Sequence, residues 1–349
     1  MLEDNLLILK GHEVLSLLTG RERQIVDTVG AVYVDHHEGA GSLPQSTFLR
    51  FPDDKKKRMI ALPAYLGQDF QFAGIKWIAS FPGNKALGLD RASAVIILNS
   101  ARTGRPRAII EGSVISAKRT AASAALAAQR LHLGNVSSVG IIGCGLINFE
   151  TVRFLLALFP GIKSLALFDK HEAQALQFGD KCRELLREIK IEVATEINAV
   201  LATSSLISIA TTAITPHISD LSSCAEGTVI LHISLRDLSA EAILSADNVV
   251  DDVDHVCRAQ TSVHLAEQLI GHRTFIRCCL ADVLTGRAAA KSDQNDVTVF
   301  SPFGLGVLDL GVSKLVYDLA IRERKGLMIG SFLPEPWLSR REVDLSLAS

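Results

Sequence analysis

The chain is poor in aromatic residues and in residues suited to metal or disulfide chemistry. Of 349 residues 5% are aromatic, and the six cysteines stand at positions 144, 182, 224, 257, 278 and 279. None forms a C-x-x-C pair, and no histidine spacing completes a zinc pattern. A zinc-organised fold and a disulfide framework are therefore excluded, and adjacent Cys278-Cys279 reads as a pair of small buried hydrophobes. Free thiols without a framework fit a reducing compartment. Apolar runs stay well short of the roughly 18 residues needed to span a bilayer, so a membrane helix is not expected. Met1 to Asn5 lacks the basic start of a secretory signal, and the expected location is the cytoplasm. Net charge is −2 without a Lys/Arg run, and Asp53-Asp54-Lys55-Lys56-Lys57-Arg58 mixes signs as a solvated turn would. Nucleic-acid binding has no electrostatic footprint here.

What the chain does have lies in its middle. Val139-Gly140-Ile141-Ile142-Gly143-Cys144-Gly145-Leu146-Ile147-Asn148 is an apolar run meeting two glycines spaced G-x-G, with a helical pattern directly behind. That is the strand, tight turn and helix N-terminus of a dinucleotide-binding βαβ unit. Gly143 permits the turn, and Gly145 lets backbone N–H groups approach a pyrophosphate at the positive end of the helix. Cys144, Leu146, Ile147 and Asn148 complete the expected cofactor-binding turn, although Asn148 replaces the usual third small residue. A second apolar run, Ser164 to Phe168, ends at Asp169. Its distance from the first glycine is close to the ~20 residues expected for an acid that accepts adenosine ribose hydroxyls. Asp169 favours NAD over NADP, a preference softened by Lys170. The ordinary alternative is a glycine turn beside a surface aspartate.

From Asn135 to about Phe300, apolar runs at 139–142, 164–168, 205–210, 228–233 and 247–250 alternate with helical patterns such as Glu172 to Ile189. This predicts an α/β fold with a Rossmann-type, doubly wound parallel sheet. Ligands then sit at the carboxyl ends of the strands, which nominates Thr211 and Thr212 at one end and Ser234 to Asp237 at another. The first ~130 residues show shorter mixed runs with Pro/Gly turns. Arg50 to Pro63 and Ala92 to Ile110 look like hairpins, and an Ala-rich helix follows from about Ser116 to Leu131. Leu305 to Glu323 is a helix that returns to the first part, and Leu333 to Trp337 is extended. The expected division is a discontinuous α+β substrate-binding domain, residues 1–130 and 305–349, around a Rossmann domain at 131–304.

A nicotinamide enzyme needs an anion clamp and a proton donor or acceptor. Arg50 sits within Phe48-Leu49-Arg50-Phe51, Lys76 between Gly74-Ile75 and Trp77-Ile78, and Arg119 opens the Ala-rich helix. Each has an ordinary alternative as a surface charge or ion-pair partner. Lys76 departs most from it, because a buried lone lysine requires an anion, and a substrate carboxylate would supply one. Asp237, after Arg236 at a strand end, can reach a reacting carbon or an attacking water; with equal weight it caps the helix starting near Ser239. His232 reads as a core histidine, and His217, His255 and His264 carry no contextual signal. The loop Ser301-Pro302-Phe303-Gly304-Leu305-Gly306 covers the nicotinamide, binds a phosphate or is a plain turn.

Taken together, these segments resemble the ornithine cyclodeaminase/mu-crystallin family over nearly the full length. The markers are Arg50, Gly74-Ile75-Lys76, Arg119-Thr120-Ala121-Ala122, Gly143-Cys144-Gly145, Asp237 and Phe300 through Asp309. The resemblance implies that Arg50, Lys76 and Arg119 bind a substrate carboxylate, that Asp237 is a catalytic acid/base and that NAD(H) lies on Gly143–Asn148. It also implies a homodimer built through the non-Rossmann domain, which takes a small amino-acid substrate and needs no metal. Ser234-Leu235-Arg236-Asp237-Leu238-Ser239 departs from the pattern of ornithine cyclodeaminases. With Gly143–Asn148 and Ser301–Gly306, it is similar instead to the branch that forms 2,3-diaminopropionate for siderophores or antibiotics. That branch implies oxidative C–N cleavage of N-(2-amino-2-carboxyethyl)-glutamate, with Arg236 contacting an extra carboxylate. Alanine dehydrogenase, ketimine reductase, ornithine cyclodeaminase and non-catalytic NAD(P)H binding are the alternatives within the family.

Overall fold

Two eight-stranded sheets, one mixed and one parallel, organise the chain. The computed structural model describes residues 5–335 and Trp337. In the mixed sheet the order is Leu327–Ile329, Leu6–Leu9, Pro106–Glu111, Ala92–Ser100, Phe72–Ser80, Asp54–Leu66 and Gly41–Ser42, with Thr47–Phe51 also paired to Asp54–Leu66. Both expected hairpin regions are strands in this sheet. The register sets Lys76 opposite Leu62 and Arg50 opposite Arg58. Because side chains two apart share a sheet face, Arg50, Arg58, Ile60, Leu62 and Lys76 all project to one side.

The parallel sheet has the order Lys190–Val193, Ser164–Phe168, Ser138–Ile142, Leu206–Ile209, Val229–His232, Thr298–Ser301, Asp247–Val250 and Ile276–Cys279. Every neighbouring pair in it is parallel. Strands 206–209, 229–232, 247–250 and 298–301 are buried at every residue, as expected where both faces are covered. The order reverses between Ser138–Ile142 and Leu206–Ile209, and that crevice is where sheets of this kind take their ligands.

Helix Ser113–Leu131 joins the two sheets. Ala121, Ala122, Ala124, Ala125, Ala127 and Ala128 are fully buried on it, and one continuous core runs from Leu7 and Leu98 through them to Val139 and Phe300. Larger residues at these alanines would overpack the junction, typically by about 1–3 kcal/mol. Lys118 adds a buried ion pair to Glu150 of helix Leu146–Leu158, 3.0 Å away.

Four expectations are corrected. The helix predicted to reach Ile189 ends at Leu185, and Lys190–Val193 becomes a strand whose exposed Lys190 and Glu192 alternate with half-buried Ile191 and Val193. Strands Ile276–Cys279 and Thr298–Ser301 have four residues each, too short to stand out by period. Gly11–Leu18 and Glu22–His37 are helices within the part read as mixed runs, with Ile25, Val26, Val29, Val32 and Tyr33 forming a buried stripe at helical spacing. The charged run 53–58 is a turn only at its start; Asp54 opens a 13-residue strand and Arg58 is half-buried within it. Of the tail expected to be extended, Pro336 lies outside the described residues, as do residues 338–349 of the expected first domain.

Candidate active site

The glycine turn closes as its sequence requires. Gly143 has φ +89°, and a Cβ there would stand 2.4 Å from the carbonyl oxygen of Ala210, so no side chain fits. Gly145 is the reverse case. Nothing lies within 4 Å of where its Cβ would be, and helix Leu146–Leu158 starts behind it without a side-chain cap. Open space before an uncapped helix N-terminus suits a pyrophosphate. Asp169 accepts the Cys144 N–H at 2.8 Å on one oxygen and the His171 N–H at 2.9 Å on the other, leaving lone pairs for a ribose diol. Burial, reinforced by Asp169, pushes the Cys144 thiol up to about 12, so it is an inert packing group.

Asn148 works from underneath. It is fully buried, and its amide donates to the carbonyls of Ile142 at 3.0 Å and Gly143 at 2.6 Å while accepting from the Ser208 hydroxyl at 2.7 Å. A buried amide must satisfy its donors, and the turn supplies the acceptors. The side chain expected beside the cofactor instead ties the turn to the next strand.

Lys76 and Arg119 come together, and the anion between them belongs to the protein. Lys76 Nζ donates to Asp309 Oδ2 at 2.6 Å and to Ser116 Oγ at 3.2 Å, and Arg119 Nε donates to Asp309 Oδ1 at 2.9 Å. All three charged side chains are at most 9% exposed. Two cations around one carboxylate leave a surplus positive charge that can neutralise a substrate carboxylate. Burial is the largest influence on Lys76 and Arg119 opposes its charge as well, so despite Asp309 its ammonium is pushed down to about 8. The charged form exists below that pH and is lost above it. A binding step that uses this charge therefore predicts kcat/KM falling by about tenfold per pH unit once pH exceeds about 8. A kcat/KM profile that stays flat to pH 9.5 would remove the Lys76 charge from substrate capture.

The loop around Gly304 lies against this cluster. Gly304 has φ +92°, and a Cβ would stand 2.9 Å from Arg119 Nη1. Its N–H and that of Phe303 donate to the two oxygens of Asp251 at 2.8 and 2.9 Å. With those N–H groups engaged, the loop is not a phosphate cradle through them, and that alternative is set aside. Asp251 is buried, which pushes its carboxyl up to about 6.

Asp237 is also fully buried, under a lid of hydroxyls. Thr211 Oγ1 donates to Oδ1 and Ser234 Oγ to Oδ2, while His232 Nε2 is 3.3 Å from Oδ2 and 3.2 Å from the Asp237 N–H. Burial alone would raise its pKa, but His232, Ser234 and Thr211 together hold it below the usual carboxylate range. The helix at Ala240–Leu244 is capped by Ser239, whose hydroxyl accepts from the Ala242 N–H, so capping is not the task of Asp237. Leu235, two residues before it, has φ +74°, a left-handed conformation costly for leucine, at the turn that aims this carboxylate. His217 Nε2 approaches Oδ1 to 3.9 Å from the half-exposed side, and Thr212 is exposed nearby.

Arg50 and Arg236 make no hydrogen bond or ion pair with Lys76, Arg119 or Asp309. Arg50 stacks over Phe48 at 5.5 Å from the ring centre and faces Arg58. Arg236 donates to the carbonyls of Gln260 at 3.0 Å and Ala259 at 2.6 Å. Arg58, Asp251 and the partnership of His232 with Asp237 were missed in the sequence, and Asp309 entered it only as the end of the Phe300–Asp309 marker. Only Asp309 left a signal, as a lone acid in an apolar helix start, the mirror image of Lys76.

The reversed parallel sheet with its glycine turn, together with a buried cation pair held by Asp309, defines a dinucleotide-dependent oxidoreductase. The family model for the ornithine cyclodeaminase/mu-crystallin family matches residues 7–324. The chain belongs to that family. It is 30% identical over 283 residues to the N-((2S)-2-amino-2-carboxyethyl)-L-glutamate dehydrogenase of Staphylococcus aureus, covering 79% of this chain and 82% of that one. It is 28% identical to the alanine dehydrogenase of Archaeoglobus fulgidus, over 93% and 98% of the two chains. Its fold superposes on an archaeal alanine dehydrogenase dimer with bound NAD with a TM-score of 0.84, at 27% identity and covering 94% of this chain and all of that one.

Proposed function

We propose that this protein is an NAD-dependent dehydrogenase that oxidises the glutamate Cα–N bond of N-((2S)-2-amino-2-carboxyethyl)-L-glutamate, releasing 2,3-diaminopropionate and 2-oxoglutarate as a homodimer. The observation that carries the reading is that two buried cations, Lys76 and Arg119, share the single carboxylate of Asp309, which leaves a positive charge to meet a substrate carboxylate. NAD+ bound on Gly143–Asn148, with its ribose on Asp169, supplies the hydride acceptor. Lys76 and Arg119 grip the carboxylate next to the reacting carbon and fix the direction of its C–H bond. Asp309 holds both cations in place.

As the hydride leaves, the C–N single bond becomes a protonated imine that keeps its N–H, and positive charge develops on nitrogen. Asp237, ionised and shielded, opposes that charge through the polarised hydroxyls of Thr211 and Ser234. Water then adds to the imine carbon, and the carbinolamine breaks its C–N bond to give ketone and amine. Incubation of the glutamate adduct with NAD+ is expected to yield NADH, 2-oxoglutarate and 2,3-diaminopropionate in equal amounts. Alanine dehydrogenase is the second reading, favoured by the full-length likeness to the archaeal enzyme. Pyruvate and NADH from alanine, with no products from the adduct, would replace the first reading by the second.

A further inference from the structure

Among the described residues seven other than glycine have a left-handed φ, and three of them meet at one place. Leu235 has φ +74°, Ala259 +57° and Gln260 +58°. Leu235 lies in the turn that carries Asp237, whereas Ala259 and Gln260 lie in the link between helices Val253–Val256 and Ser262–Ile270. A left-handed backbone crowds the Cβ of each against a carbonyl. Such residues persist only where the surrounding structure over-determines them, and they gather at functional sites.

Here the determining contacts come from Arg236. Its Nε donates to the Gln260 carbonyl at 3.0 Å and its Nη2 to the Ala259 carbonyl at 2.6 Å. In the opposite direction the Ser262 N–H donates to the Leu235 carbonyl at 2.7 Å. Thr261 pins the link from beneath: it is buried, its hydroxyl donates to the Val256 carbonyl at 2.6 Å and accepts the His264 N–H at 3.0 Å. On the far side of the turn, the Asp237 carbonyl accepts the N–H groups of His217 and Ile218, both at 2.9 Å. The turn that aims the carboxylate is thus held between two segments, and the guanidinium is its main tie to one of them.

We propose that Arg236 is a positioning residue: by bridging the Ala259 and Gln260 carbonyls it holds the 257–261 link as a brace that keeps Leu235 left-handed and Asp237 aimed at the reacting atoms. The inference rests on the reading of Asp237 as the ionised group that opposes charge on the imine nitrogen. It moves Arg236 from direct contact with a substrate carboxylate to support of the turn. One peptide unit separates the two side chains, so tying down the guanidinium fixes the direction of the carboxylate. A displacement of about 1 Å at such a group costs on the order of 100-fold in rate.

Amide hydrogen exchange of the NADH-loaded protein reads the brace without any substrate. Arg236→Met is expected to speed exchange at the Ser262 and Asp237 amides by at least about tenfold and to leave the strand Ser138–Ile142 unchanged. Kinetics then separate support from contact. Arg236→Met should lower kcat by about 10–100-fold while 2-oxoglutarate still binds the NADH-loaded protein within about twofold of wild type. Arg236→Lys keeps the charge but cannot bridge two carbonyls, and should lose as much. Leu235→Gly, which adopts the left-handed turn without strain, should recover most of the kcat lost in Arg236→Met.

Unchanged amide exchange overturns the brace. So does full activity of Arg236→Lys, or 2-oxoglutarate binding weakened tenfold with kcat retained, either of which returns Arg236 to the substrate. Failure of the proposed reaction reads out differently. If alanine turns over and the glutamate adduct does not, kcat for alanine should still fall in Arg236→Met, because Asp237 meets imine charge with either substrate.

Discussion

Asp237→Asn is expected to lower kcat by about 10²–10³-fold while NADH affinity stays within about twofold, the range seen when one preorganised electrostatic group is removed. Asparagine has the same shape, and the hydroxyls of Thr211 and Ser234 can rotate to accept from its amide as readily as they donate to the carboxylate. The local structure therefore survives and the charge does not. That separation makes the test informative, because a folding defect would also disturb cofactor binding. The carboxylate is ionised at neutral pH: its depressed pKa means the charge is complete above the usual carboxylate range and is lost only as pH falls well below it. Acidification through that low range should reproduce the loss in wild type and leave the asparagine variant flat. Turnover of the variant within tenfold of wild type would dismiss the charge of Asp237 from the reaction.

Asp309→Asn should have the largest effect on stability, about 3–5 kcal/mol, because it leaves Lys76 and Arg119 buried with no counter-charge. Thermal unfolding should fall by roughly 10 °C. The same substitution takes away the interaction that raises the Lys76 pKa, so the descending limb of the kcat/KM profile should move to lower pH. Lys76→Met tests the coupling. Combined with Asp309→Asn it removes one buried charge from each side, and the double variant should be more stable than the sum of the singles by at least about 1 kcal/mol. Strict additivity would mean the two groups do not depend on each other, against the 2.6 Å contact between them.

The cofactor side was the more legible part of the sequence. Strand, glycine turn, helix and acid are consecutive, and each step is local: Gly143 is required by a φ of its own, and Asp169 is reached by chain length alone. The substrate side was legible only as single residues. Lys76 announced that it needed an anion, because a charge in an apolar strand is expensive wherever it sits. Which anion of the protein it meets depends on a helix more than two hundred residues later, where Asp309 stands. Arg50 was grouped with Lys76 and Arg119, yet strand register sets it beside Arg58, a residue that looked like part of a solvated turn. Asn148 was placed on the cofactor because it follows the glycines, and its burial beneath them is decided by the neighbouring strand.

By itself, then, the sequence determined the α/β class, the parallel sheet, the position of the dinucleotide turn and the need for an anion at Lys76. Those follow from backbone conformation, hydrophobic period and desolvation, which act over a few residues. Only the tertiary structure decided which charges face one another: Lys76 and Arg119 on Asp309, Asp237 beneath two hydroxyls and His232, and Arg50 across from Arg58. Pairing of charges is set by register and by the packing of distant elements, and no local pattern records it.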